Sequence, residues 1–97
     1  INDFVIGTDS IDAALSSGAL GASKGAVTAL TSAAISAVLT NTSFAATTNA
    51  AWFTFGTGAT QRTFLALNDG VRGFSASTDS IIEMTGVTGN MANLTVI

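Results

Sequence analysis

The amino-acid sequence predicts an α+β domain that is mainly β, with a helical segment in the middle of the chain. Residues 51–55 and 62–67 are rich in Thr and aromatic or aliphatic side chains, and a Gly-containing loop separates them. This is the pattern of an antiparallel hairpin. Residues 26–40 instead space apolar side chains three and four positions apart, as on one face of a helix. We expect a small antiparallel sheet or sandwich of five or six strands, with the helix covering one face.

Composition narrows the possible functions. The chain has 97 residues, a net charge of −3 and a hydrophobic content of 47%, so we expect one small domain with a modest core. Its three basic residues are Lys24, Arg62 and Arg72, and they are too scattered to form the basic patch that nucleic-acid binding needs. The sequence contains neither His nor Cys, which excludes disulfides, His-ligated metals and triad catalysis using those residues. We expect the protein not to be an enzyme.

The middle of the chain has no charged residue from position 25 to position 61. Residues 13–25 contain three glycines and many Ala and Ser, which predicts a loop or a broken helix. The helix predicted over residues 26–40 has Asn41 as its stop signal. Thr and Ser interrupt this apolar stretch, and it is shorter than the roughly 20 residues of a membrane span. We therefore expect no transmembrane segment.

The last third of the chain reads as three strands with two turns. The strands are predicted at residues 62–67, 80–85 and 94–97, with alternating or β-branched apolar side chains. The sequence Asn68-Asp69-Gly70 favours a turn after the first strand. The glycines at 86 and 89 favour another turn before the last strand.

Three motifs in this region carry a resemblance to a known family. They read T-F-L-A-L-N-D-G at 63–70, G-F-S-A-S-T-D-S-I-I-E-M-T-G at 73–86 and G-N-M-A-N-L-T-V-I at 89–97. In this order they resemble the bluetail domain, which ends many cyanobacterial surface proteins of the repeats-in-toxin (RTX) type. Residues 1–12 are similar to the D-F-x-x-G-x-D-x-I-D segment that follows the calcium β-roll in RTX proteins and serralysin-type proteases.

The resemblance implies a non-catalytic role outside the cell. Residues 1–97 would be the single C-terminal domain of a longer secreted protein, capping a preceding β-roll. Residues 62–97 would hold the signal read by a type I secretion system. The cofactor implied is calcium, bound mainly in the preceding β-roll, and the expected location is extracellular or at the cell surface.

The carboxylates allow two interpretations. Aspartates are hard oxygen ligands for calcium, and they also cap turns and loops through their side-chain oxygens. At the N-terminal end these residues are Asp3, Asp9 and Asp12, and on the 68–79 loop they are Asp69 and Asp79.

A second hypothesis is a self-assembling structural domain of a surface layer or filament. Charged residues normally limit edge-to-edge pairing of sheets, and the central third of this chain has none. The partner would be another copy of the chain or the preceding β-roll. The apolar side chains predicted to make this contact are Val27, Leu30, Val38, Trp52, Phe53 and Phe55. The aromatic side chains among them have a second interpretation, since an aromatic stripe on a strand is more often part of the core.

Overall fold

The computed structural model of the chain describes residues 4–13, 15 and 17–97. Within this part the chain is a small α+β domain with one short helix and two sheets. In chain order the elements are β1 (Ser17–Ala19), β2 (Ala26–Val27), α1 (Ser32–Val38), β3 (Ala50–Phe55), β4 (Arg62–Leu67), β5 (Ser80–Glu83) and β6 (Thr95–Val96). Single 3₁₀ turns at Gly58–Thr60 and Met91–Asn93 precede β4 and β6.

The larger sheet has the strand order β2-β3-β4-β5. Its centre is the predicted hairpin, in which β3 and β4 are antiparallel and pair Phe53 with Phe64. The prediction of strands at 51–55 and 62–67 is confirmed, except that β3 begins one residue earlier. Strand β5 continues the antiparallel order, with Ile82 opposite Leu65.

Alternation along these strands produces two apolar clusters, one on each face of the sheet. The helix-side cluster consists of Val27, Ile35, Leu39, Phe44, Ala51, Phe53, Phe64 and Ala66. The terminal-side cluster consists of Phe4, Ala50, Leu65, Met84, Met91, Leu94 and Val96. On β4, Phe64 and Ala66 lie in the first cluster, while Leu65 and Leu67 pack in the second.

The helix is shorter than the predicted span of 26–40. Ala26 and Val27 are extended and pair in parallel with Thr54 and Phe55 of β3. Hydrogen bonding to the edge strand β3 therefore holds the first residues of the predicted helix in an extended conformation, although their apolar spacing is typical of a helix. The helix itself begins after Thr31, whose Oγ1 accepts a hydrogen bond from the Ala34 N–H at 3.2 Å. Such a cap satisfies one of the free N–H groups of the first turn.

The helix also ends earlier than predicted, at Val38 rather than near Asn41. The Ser43 Oγ donates to the Val38 carbonyl at 2.6 Å, and the Thr40 N–H donates to the Ser43 Oγ at 2.9 Å. These side-chain bonds satisfy groups at the helix end and turn the chain away. The prediction that Asn41 stops the helix is therefore wrong.

Two further expectations are corrected by the strand pairing. The sheet is not purely antiparallel, because β2 and β3 are parallel. The stretch predicted as a loop or broken helix contains β1, which pairs antiparallel with β6 in a second, two-stranded sheet. The last strand, predicted over residues 94–97, is thus confirmed in place but belongs to a separate sheet.

Candidate functional site: the paired ends of the chain

The two ends of the described chain lie side by side. The Thr88 N–H donates to the Phe4 carbonyl at 3.1 Å, and the Ile6 N–H donates to the Thr88 carbonyl at 2.9 Å. Further along, the Ile97 N–H donates to the Ile11 carbonyl at 2.7 Å. These bonds follow the parallel pattern, in which one residue bonds to two positions on its neighbour. We call residues 4–21 and 87–97 together the terminal clasp.

Strand β6 is the centre of this clasp. On one edge it bridges in parallel to Ile11, and on the other it pairs antiparallel with β1. Beyond β1, the Leu20 N–H donates to the Leu94 carbonyl at 3.1 Å. Leu94 and Val96 are 0% and 1% exposed, so the strand also supplies core side chains. Both backbone edges and one face of the C-terminal strand are therefore occupied.

The terminal-side cluster brings together the segments that carry the family resemblance. Phe4 comes from the opening motif, Leu65 and Met84 come from the two middle motifs, and Leu94 comes from the last motif. Residues 13–49 carry no resemblance, and those of them that the structure describes contribute no buried member to this cluster, although Ala13 and Leu20 pack against it. The buried member Ala50 also lies outside the motifs. The motifs are separated by up to about 90 positions in sequence but share one apolar core.

An ion pair connects β4 to β5. The Arg62 Nε and Nη2 donate to the two oxygens of Glu83, each at 2.9 Å, and the Thr85 hydroxyl donates to Glu83 at 2.8 Å. The guanidinium also lies 5.3 Å from the ring centre of Phe64. The Arg62 hydrogen bonds, followed by the one from Thr85, hold the pKa of Glu83 at about 2. This pair was not predicted from the sequence, because it depends on the register of β4 and β5.

The loop between β4 and β5 is closed by its two aspartates. The Asp79 carboxylate accepts hydrogen bonds from the Ser75 N–H at 2.7 Å and the Asp69 N–H at 2.9 Å, and Asp69 accepts one from the Val71 N–H. Bonding from the Thr78 side chain and the Val71 N–H lowers the pKa of Asp69, whereas partial burial raises the pKa of Asp79. Both side chains have the capping role that the sequence allowed.

At the N-terminal end, Asp9 also closes a turn. Its carboxylate accepts a hydrogen bond from the Val5 N–H at 2.8 Å. Asp12 is exposed, and Asp3 lies outside the described residues. Among the residues that the structure describes, no group of three or more acidic, His or Cys side chains could hold a metal ion. Calcium binding by these aspartates stays a prediction.

The residues predicted for self-association differ in solvent exposure. Val27 and Phe53 are buried in the helix-side cluster, so their side chains are covered within a single chain. Leu30 is 41% exposed and is the member of the set that reaches furthest into solvent. The remaining three are partly buried in one cluster or the other: Val38, Trp52 and Phe55.

Trp52 has a structural partner. Its indole N–H donates to the Gly21 carbonyl at 2.7 Å, and the Trp52 carbonyl accepts from the Lys24 N–H at 2.9 Å. The side chain therefore anchors the chain where it leaves the terminal clasp and enters the sheet.

No helix in the described part of the chain is long and apolar enough to cross a membrane. Comparisons with protein-family models, curated proteins and solved structures gave no match.

Proposed function

We propose that this chain is the non-catalytic C-terminal cap and type I secretion region of an RTX-type, calcium-dependent surface protein. The observation that supports this most is the shared core of the resembling motifs. Motifs from both ends of the chain and from the hairpin pack in the terminal-side cluster, as expected of segments that belong to one structural unit. The resemblance then implies an extracellular protein exported through an inner-membrane transporter, an adaptor and an outer-membrane channel.

Capping is the structural part of this proposal. A preceding β-roll would lead into the opening motif, whose residues Phe4 and Ile6 are bonded to Thr88. Docking the chain ends against each other pairs backbone groups of the opening motif, which would otherwise extend the exposed edge of the roll. Calcium in this protein would bind mainly in the roll.

Export can be tested separately from folding. A reporter fused ahead of the chain would be produced with a type I transporter, its adaptor and its outer-membrane channel. We expect removal of residues 94–97 to leave the reporter in the cytoplasm, because it removes the end of the signal region. The Phe53→Ala variant loses a core side chain but keeps residues 62–97, so we expect it to be exported.

Secretion of the shortened reporter at the full rate would contradict this proposal. Equal retention of the Phe53→Ala variant would also contradict it, because loss of folding rather than loss of a signal would then explain the retention.

Self-assembly is the second candidate function, and a specific surface favours it. The exposed residues between positions 25 and 61 are all uncharged, including the outward side of α1 with Ala33 and Ser36. A surface without charge lacks the usual protection against association. We expect light scattering of the purified domain to show association at micromolar concentration, and the double change Ala33→Lys/Ser36→Lys to reduce it.

These two positions add charge without altering the helix cap at Thr31. The matched control is the double change Ala76→Lys/Ser77→Lys, which adds the same two charges at exposed positions outside the uncharged stretch. A wild-type domain that stays monomeric with and without calcium would rule out this second function.

A further inference from the structure

The C-terminal segment, residues 87–97, is held by a part of the chain that is distant in sequence. Among the described residues, the backbone hydrogen bonds that residues 88–97 make outside their own segment go to residues 4–21. These bonds occupy both edges of β6, while Met91, Leu94 and Val96 fill the core beneath it. Residues 4–13 and 17–21 therefore form a slot into which the C-terminal segment fits as a separate piece.

The connection into this segment is very short. Only Thr85 and Gly86 separate the buried Met84 from Val87, and the Val87 N–H donates to the Met84 carbonyl at 3.2 Å. Gly86 has a φ of +88°, which side chains with a Cβ rarely adopt. Short, tightly turned hinges favour exchange of a terminal element between copies, because opening the hinge relieves the turn.

We propose that residues 87–97 of one copy can occupy the slot of a second copy, so that the chain self-associates by exchanging its C-terminal segment. The exchanged form makes the same hydrogen bonds and buries the same side chains as the monomer. Reciprocal exchange closes a dimer, whereas one-way exchange leaves a slot free and extends an open chain. This inference rests on the self-assembly function proposed above and adds a second contact, which lies outside the uncharged stretch of residues 25–61.

Exchange competes with closure inside one chain. A segment on a short linker reaches its own slot at an effective concentration on the order of millimolar, so closure dominates in dilute solution. Strain in the hinge disfavours closure without affecting the exchanged form, in which the hinge is extended. The hinge is therefore the place to test the proposal.

The first experiment compares two glycine variants. Gly86→Ala forces an unfavourable φ at the hinge, and Gly58→Ala does the same in the β3–β4 loop, where φ is +62°. An added Cβ meets no atom within 4 Å at either position, so the two changes are matched in space. The φ of Gly86 lies further from the left-handed helical range than the φ of Gly58, so Ala strains the backbone more at position 86. After refolding at high concentration, we expect Gly86→Ala to raise the fraction of dimer and larger species several-fold, and Gly58→Ala to leave it at the wild-type level.

The second experiment identifies which segments are exchanged. The chain contains no Cys, so introduced pairs report cleanly on non-reducing gels. Ala19 and Thr95 are partners across β1 and β6, and Thr54 and Thr63 are partners across β3 and β4. In the isolated dimer we expect the Ala19→Cys/Thr95→Cys pair to link two chains covalently, and the Thr54→Cys/Thr63→Cys pair to close within one chain.

The outcomes distinguish segment exchange from self-association through another surface. Dimers in which both Cys pairs close within one chain would overturn segment exchange while leaving self-association by another surface. A Gly86→Ala variant that stays monomeric at every concentration, with a native circular dichroism spectrum, would also overturn exchange. If Gly86→Ala gives an unfolded spectrum, the same two Cys pairs are introduced into the wild-type chain, which is refolded at high concentration. A wild-type dimer in which both pairs close within one chain, or a wild-type chain that forms no dimer at any concentration, then overturns exchange.

Discussion

The two apolar clusters differ in where their residues come from. The helix-side cluster draws its core from residues 27–66, a continuous stretch that contains α1 and the hairpin. The terminal-side cluster needs residues from both ends of the chain, with Phe4 and Val96 more than 90 positions apart in the numbering. Contacts between distant positions require a larger loop to close before they stabilise the fold. The helix side can therefore form without the termini, whereas the terminal side cannot form without the sheet.

Removal of residues 94–97 is the strongest way to test this difference. It deletes two fully buried side chains and the strand that joins β1 to Ile11. Each lost side chain should cost about 2–5 kcal/mol, so we expect the terminal clasp to open. Hydrogen exchange should become fast in residues 4–21 and stay slow in β3 and β4. Equal loss of protection in all these segments would mean that the two clusters fold as one unit.

The substitution Phe53→Ala tests the opposite cluster. The ring is fully buried and stacks on Phe64, with 5.4 Å between ring centres. Its removal should cost about 3–5 kcal/mol, and this loss should destabilise the whole sheet because the terminal clasp packs on it. Urea denaturation measures the change, with Leu30→Ala, a partly exposed side chain, as the control. A loss of protection restricted to α1 would contradict the expected order of dependence.

The buried side chain of Asn68, which follows β4, offers a further test of how the two clusters depend on each other. Its buried Nδ2 donates to the Ala45 and Thr48 carbonyls at 3.0 and 2.9 Å, which fixes the segment that leads into β3. Substitution by Ala leaves these carbonyls without that partner and should cost about 1–3 kcal/mol. We expect the loss in a urea titration, with exchange fastest near residues 45–48. An unchanged midpoint would show that water replaces the amide without cost.

The smallest expected effect is the pH dependence from Glu83. Its folded pKa of about 2 lies below its usual value of 4.5, so ionised Glu83 stabilises the fold above pH 4.5. This contribution is lost as the pH falls from 4.5 towards 2. In Glu83→Gln the urea midpoint should therefore fall less over this range than in the wild type. Asp12→Asn, an exposed carboxylate change, is the control, and a Glu83→Gln slope equal to the wild-type slope would contradict the prediction.

Local patterns predicted the hairpin but not the terminal clasp. The predicted bounds of β3 and β4 agree with the structure to within one residue. Both signals for this hairpin, the alternation of side chains along each strand and the Gly-containing loop, lie within the hairpin's own sequence. The predicted helix begins too early because the apolar spacing around Val27 carries no information about β3. In the structure Val27 pairs with the edge of that strand. The pairing of Ile11 with Val96 joins segments 85 positions apart and leaves no local signal in either one.

In the candidate site, the caps made by the aspartates were predicted from the sequence, whereas the ion pair was not. Aspartates next to turn residues were read as possible caps, and Asp9, Asp69 and Asp79 do accept backbone N–H groups in turns. The contact between Arg62 and Glu83 was not predicted, because it depends on the register of two strands rather than on spacing in the sequence.

The parallel pairing of the chain ends has a mechanical consequence. Pulling residue 4 away from residue 97 draws the two parallel segments along each other in opposite directions. The hydrogen bonds of Ile6, Ile11 and Ala13 to the C-terminal segment are then loaded together rather than broken one after another. Resistance to force depends on the barrier to unfolding rather than on equilibrium stability. We therefore expect the paired ends to resist tension along the chain better than strands whose hydrogen bonds break one at a time.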